Sequence, residues 1–235
     1  MTTIDPQGSL AAMVSAHPET AQVFQRHRLD FCCRGETSLA EACAQKKIDL
    51  ATLSAELVEV IESRSSAQHA EDLACLATPE LVKEIVDRHH AYLREVMPFL
   101  EMLAIKVARV HGDSEPRLLQ LRDAYLRLKE ALEPHLDQEE RVLFPTLLQG
   151  EPDKAVLASE FSSMHHEHLA VGDLLQEIRA LADDFRAPGW ACRSYQTLFA
   201  ELEALEGDTL RHVHTENHVL MPRFQGTVVA AQRLS

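Results

Sequence analysis

Two segments 77 residues apart carry the same arrangement of metal-binding side-chain types. Residues 135–145 read HLDQEERVLFP and residues 212–222 read HVHTENHVLMP; in each, a histidine precedes a glutamate by four positions, and V-L, an apolar residue and proline follow. Positions i and i+4 share a helix face, so each imidazole lies about one turn, roughly 6 Å, from its carboxylate. Taken singly, such a pair is no more than a helix salt bridge. Taken together, two copies supply nitrogen and oxygen donors suited to first-row metals, provided that other elements bring them to one level with further ligands.

The elements that could do so follow Thr78, an N-cap, and Pro79, a first helical position. Four long stretches of helical periodicity are interrupted at His111-Gly112-Asp113, Gly150-Glu151-Pro152 and Pro188-Gly189. Short breaks between long helices predict an all-α, antiparallel up-down four-helix bundle. In an antiparallel hairpin, residues at equal height average to the position of the turn. His90 and His135 average 112.5, His135 and His168 average 151.5, and His168 and His212 average 190, each at an interruption. Heptad-spaced series point the same residues inward: Leu121, Leu128, His135, Val142; Phe161, His168, Leu175; and Leu205, His212, Val219.

One level of the core thus receives His90, His135, Glu139, His168, His212 and Glu216. By spacing alone His89 fits its stripe nearly as well as His90, and His165 the height nearly as well as His168. Charged groups on a core stripe are costly unless paired or metal-bound. Four imidazoles and two carboxylates suit two first-row metals bridged by the glutamates, with iron the best match. Zinc fits less well, because six donors exceed a tetrahedral site and none is a thiolate. His111, in a turn, and His166, off the stripe, are expected in solvent. Glu140, His214 and His218 are expected beside the ligands, on a polar face or supporting the ligands from outside, and Pro98 and Pro134 should kink their helices.

Composition narrows the remaining possibilities. The chain has 235 residues, 46% hydrophobic and 5% aromatic, and a net charge of −14. That charge, with no basic stripe, argues against nucleic acid. The absence of a signal-like amino terminus or a long apolar run argues against a membrane and for the cytoplasm. Five cysteines form no regular disulfide framework. The expected organisation is a small helical domain over residues 1–62, a linker over 63–77, the metal-binding bundle over 78–226 and a tail over 227–235. The small domain is broken at Pro18 and at Cys32-Cys33-Arg34-Gly35, and Ser38-x-x-Glu41 reads as a capping box restarting a helix. Adjacent cysteines cannot both enter one small core, so Cys32 and Cys33 read as a redox or iron-transfer pair. Arg34 and the helix that follows are expected to favour thiolate. Cys43, Cys75 and Cys192 show no such grouping.

At this point the residues resemble a known family. Residues 79–224 are similar to a hemerythrin-like di-iron bundle, and Asp30-Phe31-Cys32-Cys33-Arg34-Gly35 resembles the cysteine-pair domain that precedes such a bundle in the repair-of-iron-centres proteins. The resemblance implies two non-haem, oxo-bridged iron ions held by His90 (in Arg88-His-His90), His135, Glu139, His168 (in Glu167-His168), His212 and Glu216. It implies a role in nitrosative and oxidative stress, repairing damaged iron-sulfur clusters by supplying iron from a labile site. The alternatives are a nitric oxide-binding oxidoreductase, reducing nitric oxide to nitrous oxide or scavenging it, and a sensor of diatomic gases. Partners implied are damaged iron-sulfur proteins, with nitric oxide or oxygen as small ligands; the sequence leaves open whether the chain forms a homodimer. Oxygen-carrying hemerythrins have H-x3-H on the third helix and H-x4-D on the fourth; here those positions are Gly172 and Asn217, which argues against oxygen transport.

Overall fold

The computed structural model describes residues 3–65, 73–149 and 154–224. Among these there is no β-strand; a single isolated bridge joins Ser9 and Ser38. By its internal contacts the chain divides into two units: residues 3–81 with 210–224, and residues 82–209.

The first unit begins with α1 (Leu10–Ala16), α2 (Thr20–Arg26), α3 (Leu39–Lys46) and α4 (Leu50–Ser65). Ser9 caps α1 by accepting the Ala12 N–H, and Ser38 and Glu41 form the expected reciprocal capping box on α3. The turn between α2 and α3 is tight. A Cβ at Gly35 would lie 2.4 Å from the Phe31 carbonyl oxygen, so only glycine fits there. The Asp30 carboxylate stabilises the same turn by accepting the backbone N–H groups of Cys32, Cys33 and Arg34. Leu10, Phe24, Phe31, Leu39, Leu53 and Leu57 form the core of this unit, joined by Val213 from the far end of the chain. Although the first module is expected to end before the linker, its core includes Val213, more than 150 positions beyond Leu57. Helix α4 also runs to Ser65, into the span expected as linker. Residues 66–72, the turn at 150–153 and the tail at 227–235 lie outside the described residues.

The second unit is built on long helices. Helix α5 (Thr78–Glu84) continues through a π-helical turn (Ile85–His90) into α6 (Ala91–His111), and α7 (Arg117–Gln138) continues through a second π turn (Glu139–Leu143) into α8 (Phe144–Leu147). Helix α9 (Lys154–Leu181) and α10 (Arg193–Thr215) complete the set, and α10 runs on into a third π turn (Glu216–Leu220). Cross-helix contacts show the antiparallel order. Tyr125 donates to the Met97 carbonyl and Lys129 to Glu101, pairs centred on the turn after α6. Arg127 and Gln138 pair with Glu177 and Glu160, so that α7 and α9 run antiparallel.

Between α9 and α10, Asp183, Asp184 and Phe185 all take left-handed backbone angles (φ 50°, 56° and 59°), which non-glycine residues rarely adopt. Arg179 holds this turn. Its buried guanidinium bonds Glu206 of α10 and Asp184, and lies 4.7 Å over the Phe185 ring. Pro98 and Pro134 both sit inside helices, as expected.

The π turns alter the inward-facing pattern in a specific way. Each inserts about one residue into the helical repeat, so the buried stripe slips by one position beyond it. Val142 and Val219, expected inward by strict heptads, are half-buried, and Leu143 and Leu220 take their places at 2% and 0% exposure. In the α5–α6 rod the wider turn lets His89 and His90 both point inward.

Candidate metal centre

On α5–α6, the His90 Nε2 lies 3.4 Å from Glu139 Oε2, and on α7 the His135 Nε2 lies 3.3 Å from Glu139 Oε1. His168 of α9 brings its Nε2 to 3.2 Å from His135 Nε2. At the end of α10, His212 Nε2 and Glu216 Oε1 are 2.9 Å apart. All six side chains are buried, Glu216 and His212 completely. Donor atoms of His135, Glu139 and His168 lie within 4.8 Å of one another.

Glu139 provides the test of fit. Its side chain is 3% exposed, and neither carboxylate oxygen has a hydrogen-bond partner. An ionised carboxylate stripped of water and of hydrogen bonds is costly by several kcal/mol, unless a cation occupies the space between it and its neighbours. The imidazoles around it are prepared for that cation. His90 Nδ1 is 2.9 Å from Glu140 Oε1, and His135 Nδ1 is 2.7 Å from Glu167 Oε2. An Nδ1–H donated outward to a carboxylate leaves the Nε2 lone pair aimed at the site and makes it more basic.

These outer carboxylates are kept ionised. The hydrogen bond with His135 lowers Glu167 to about 2, against the opposing effect of burial and with help from Ser163. Burial pushes Glu140 up, but bonds to His90 and Arg94 outweigh it and leave it below its ordinary value. Glu140 supports His90 from outside, one of the two roles expected of it, whereas the sequence gives Glu167 no role. The available signal was position, since Glu167 directly precedes His168 and Glu140 directly follows Glu139.

The alternatives left open by spacing resolve by geometry. His165 is exposed, whereas His168 is 1% exposed beside His135. His89 turns to Asp208 of α10 at 3.0 Å, a buried tie between helices, and it is His90 that faces Glu139. His166 is exposed, as expected. His111 is not simply solvated: its Nε2 is 3.2 Å from the Cys192 sulfur, and its ring packs against Trp190 and Tyr195.

His214 and His218 leave the metal-binding side of their helix altogether. His214 is buried in the first unit, its Nδ1 at 3.2 Å from the Phe31 carbonyl oxygen, and burial lowers its pKa to about 4. Asn217 and His218 donate to the Cys32 carbonyl.

The cysteine pair differs electrostatically from expectation. The two sulfurs lie 3.3 Å apart as free thiols; Cys32 is 1% exposed and Cys33 half-buried. Arg34 and the next helix do not favour a thiolate at Cys32. The hydrogen bond with Cys33, burial and the neighbouring Asp30 carboxylate push its thiol well above the ordinary range. Asp30, Cys32 and Cys33 nonetheless bring one donor atom each within 4.8 Å.

Comparison with known proteins decides the family. Residues 81–224 match the model of the hemerythrin HHE cation binding domain. The chain belongs to the hemerythrin HHE family. In hemerythrin-family terms the bundle is preceded, over residues 6–61, by a domain described only as of unknown function (DUF542). The chain is 33% identical over 223 residues to the iron-sulfur cluster repair protein ScdA of Staphylococcus haemolyticus (strain JCSC1435), covering 94% of this chain and 99% of that one. It is 34% identical to the iron-sulfur cluster repair protein YtfE of Edwardsiella ictaluri (strain 93-146), covering 95% and 97%, and 32% identical to YtfE of Escherichia coli O157:H7, covering 93% and 95%. As a hemerythrin-family bundle with buried His/Glu clusters, the chain is a metal-binding protein. No helix among the described residues is long and apolar enough to cross a membrane.

Proposed function

We propose that this protein restores damaged iron-sulfur clusters by giving up iron held between His90, His135, Glu139, His168, His212 and Glu216. The observation that carries the reading is Glu139: a buried carboxylate without hydrogen bonds, flanked by imidazoles whose outer nitrogens are fixed by Glu140 and Glu167. The full-length likeness to proteins named for iron-sulfur cluster repair supplies the biological direction. When bound, iron would be held by these six residues and would supply exchangeable metal able to take small ligands.

The chain's own residues govern how such iron is held. Imidazole and carboxylate donors, with no thiolate, bind ferrous iron less tightly than a sulfur site would, which suits a donor of metal. Burial shields the donors from bulk water, while Glu140 and Glu167 keep His90 and His135 in the tautomer that presents Nε2. Asp30, Cys32 and Cys33 form a separate donor group, which we assign as a hand-over point for iron as cargo, Cys33 being the more exposed thiol.

The test is a dehydratase whose cluster has lost iron to oxidation, mixed with the iron-loaded protein. Recovery of its activity, faster than from an equal concentration of free ferrous iron and absent with Glu139→Leu, is expected. Recovery no faster than from free iron would contradict the proposal.

A further inference from the structure

Two side chains able to do chemistry together meet at the end of α6 remote from the metal ligands. His111 closes α6, roughly 30 Å along the helix from His90, and Cys192 directly precedes Arg193, the first residue of α10. They are 81 positions apart in sequence, yet His111 Nε2 lies 3.2 Å from the Cys192 sulfur. Cys192 is a free thiol, and it is exposed. The imidazole is half-buried against two other rings, its centroid 5.9 Å from that of Trp190 and 5.7 Å from that of Tyr195. That packing restrains the ring with Nε2 toward the sulfur.

A thiol within hydrogen-bond reach of a neutral imidazole is a nucleophile placed beside a base. We infer that Cys192 is a modification site that accepts half of a low-molecular-weight disulfide, with His111 as the base. In this step the Cys192 thiol proton passes to His111 Nε2 as the Cys192 sulfur attacks one sulfur of the disulfide. A new S–S bond forms, the S–S bond of the small disulfide breaks, and the departing thiolate takes its proton from His111 Nε2. One thiol and one disulfide are consumed, one thiol and one mixed disulfide are formed, and no further oxidant is needed.

The transfer separates charge in the sense that both helices favour. Negative charge develops on a sulfur at the N-terminal, positive end of α10, where the Cys192 carbonyl accepts the N–H groups of Tyr195 and Gln196. Positive charge develops on an imidazole at the C-terminal, negative end of α6. The turn that carries the thiol also leaves room for a ligand. Trp190, two residues before Cys192, is 58% exposed, and a Cβ added to Gly189 would meet nothing within 4 Å.

The test is incubation of the full chain with excess glutathione disulfide at about pH 7, with modified peptides quantified over time by mass spectrometry. Cys192 should gain the mixed disulfide and lose it again on addition of excess reduced glutathione. His111→Ala and His111→Gln should each slow the modification about 10-fold, less than a base contributes in an enclosed active site. Cys75, also exposed but in the first unit, should react at the wild-type rate in both variants, which separates loss of the base from general loosening of the fold. The step involves no iron, so its outcome is independent of the proposed repair of clusters. Absence of the mixed disulfide on Cys192, a wild-type rate in His111→Ala, or equal slowing at Cys192 and Cys75 would overturn the proposal. A wild-type rate in His111→Gln would overturn it equally, by showing that the ring only packs against the sulfur.

Discussion

Replacing Glu139 by leucine should stabilise the metal-free protein and destabilise the metal-loaded one. The carboxylate is 3% exposed and neither oxygen has a hydrogen bond, so in metal-free protein its charge is buried without adequate compensation. The nearest partners, His90 and His135 Nε2, lie at 3.4 and 3.3 Å without a hydrogen bond to either carboxylate oxygen. Exchanging buried ion pairs for apolar groups of similar volume is often neutral or stabilising by about 1–4 kcal/mol, and a carboxylate without hydrogen bonds belongs at the stabilising end. For a chain of this size that corresponds to about 2–4 °C in Tm per kcal/mol, so metal-free Glu139→Leu should melt several degrees above metal-free wild type. Iron reverses the order. At a free concentration about 100 times the dissociation constant, wild type gains about 2.7 kcal/mol, a gain the variant should largely lose. Four anaerobic melts at pH 8, each protein with and without ferrous iron, measure both effects. If the metal-free variant is less stable than wild type by more than about 1 kcal/mol, or if it keeps the full iron-dependent shift, Glu139 is a structural group rather than a metal bridge.

Further outcomes follow from other parts of the molecule. Glu216→Leu should lose iron while His214→Leu keeps it, because Glu216 faces His212 at 2.9 Å whereas His214 bonds the Phe31 carbonyl; His214→Leu should instead lower the stability of the first unit, and equal iron loss in both would contradict this. Glu167→Gln should weaken iron affinity about 10- to 100-fold without unfolding, as read by competition with a chelator; unchanged affinity would show that its bond to His135 is incidental. Glu206→Gln should cost about 3 kcal/mol in urea unfolding by leaving the Arg179 guanidinium buried against a neutral partner, and a loss below about 1 kcal/mol would show the pair to be dispensable. Alkylation at pH 8 should label exposed Cys75 and Cys192 first and Cys32 last, since Cys32 is both buried and held protonated; early labelling of Cys32 would mean that its turn opens readily.

The helical bundle was legible because its signals are periodic and independent: long amphipathic stretches, Gly/Pro breaks, and polar residues whose heights agree across three turns. The H-x3-E repeat singled out His135, Glu139, His212 and Glu216 by type and spacing. Fixed periodicity failed where the backbone departs from 3.6 residues per turn. The π turns after Glu139 and Glu216 exchange Val142 for Leu143 and Val219 for Leu220 in the core, and the one at Ile85–His90 turns two adjacent histidines inward toward different partners. At about 100° per residue His214 lies about 160° around the helix from His212, but only tertiary structure shows what occupies that side: Phe31, with Ser15 at 3.3 Å. Cys32 was misjudged because Arg34 is its obvious charged neighbour in sequence. In space Asp30 dominates, its carboxylate accepting the turn's N–H groups and lying 3.4 Å from the Cys32 sulfur.

Metal analysis of anaerobically purified, iron-reconstituted protein tests the central claim most directly. The proposed set of four histidines with Glu139 and Glu216 predicts about two irons per chain, falling together when either glutamate is replaced by leucine. Fewer than one metal per chain after careful reconstitution would contradict the account and leave the buried carboxylates unexplained.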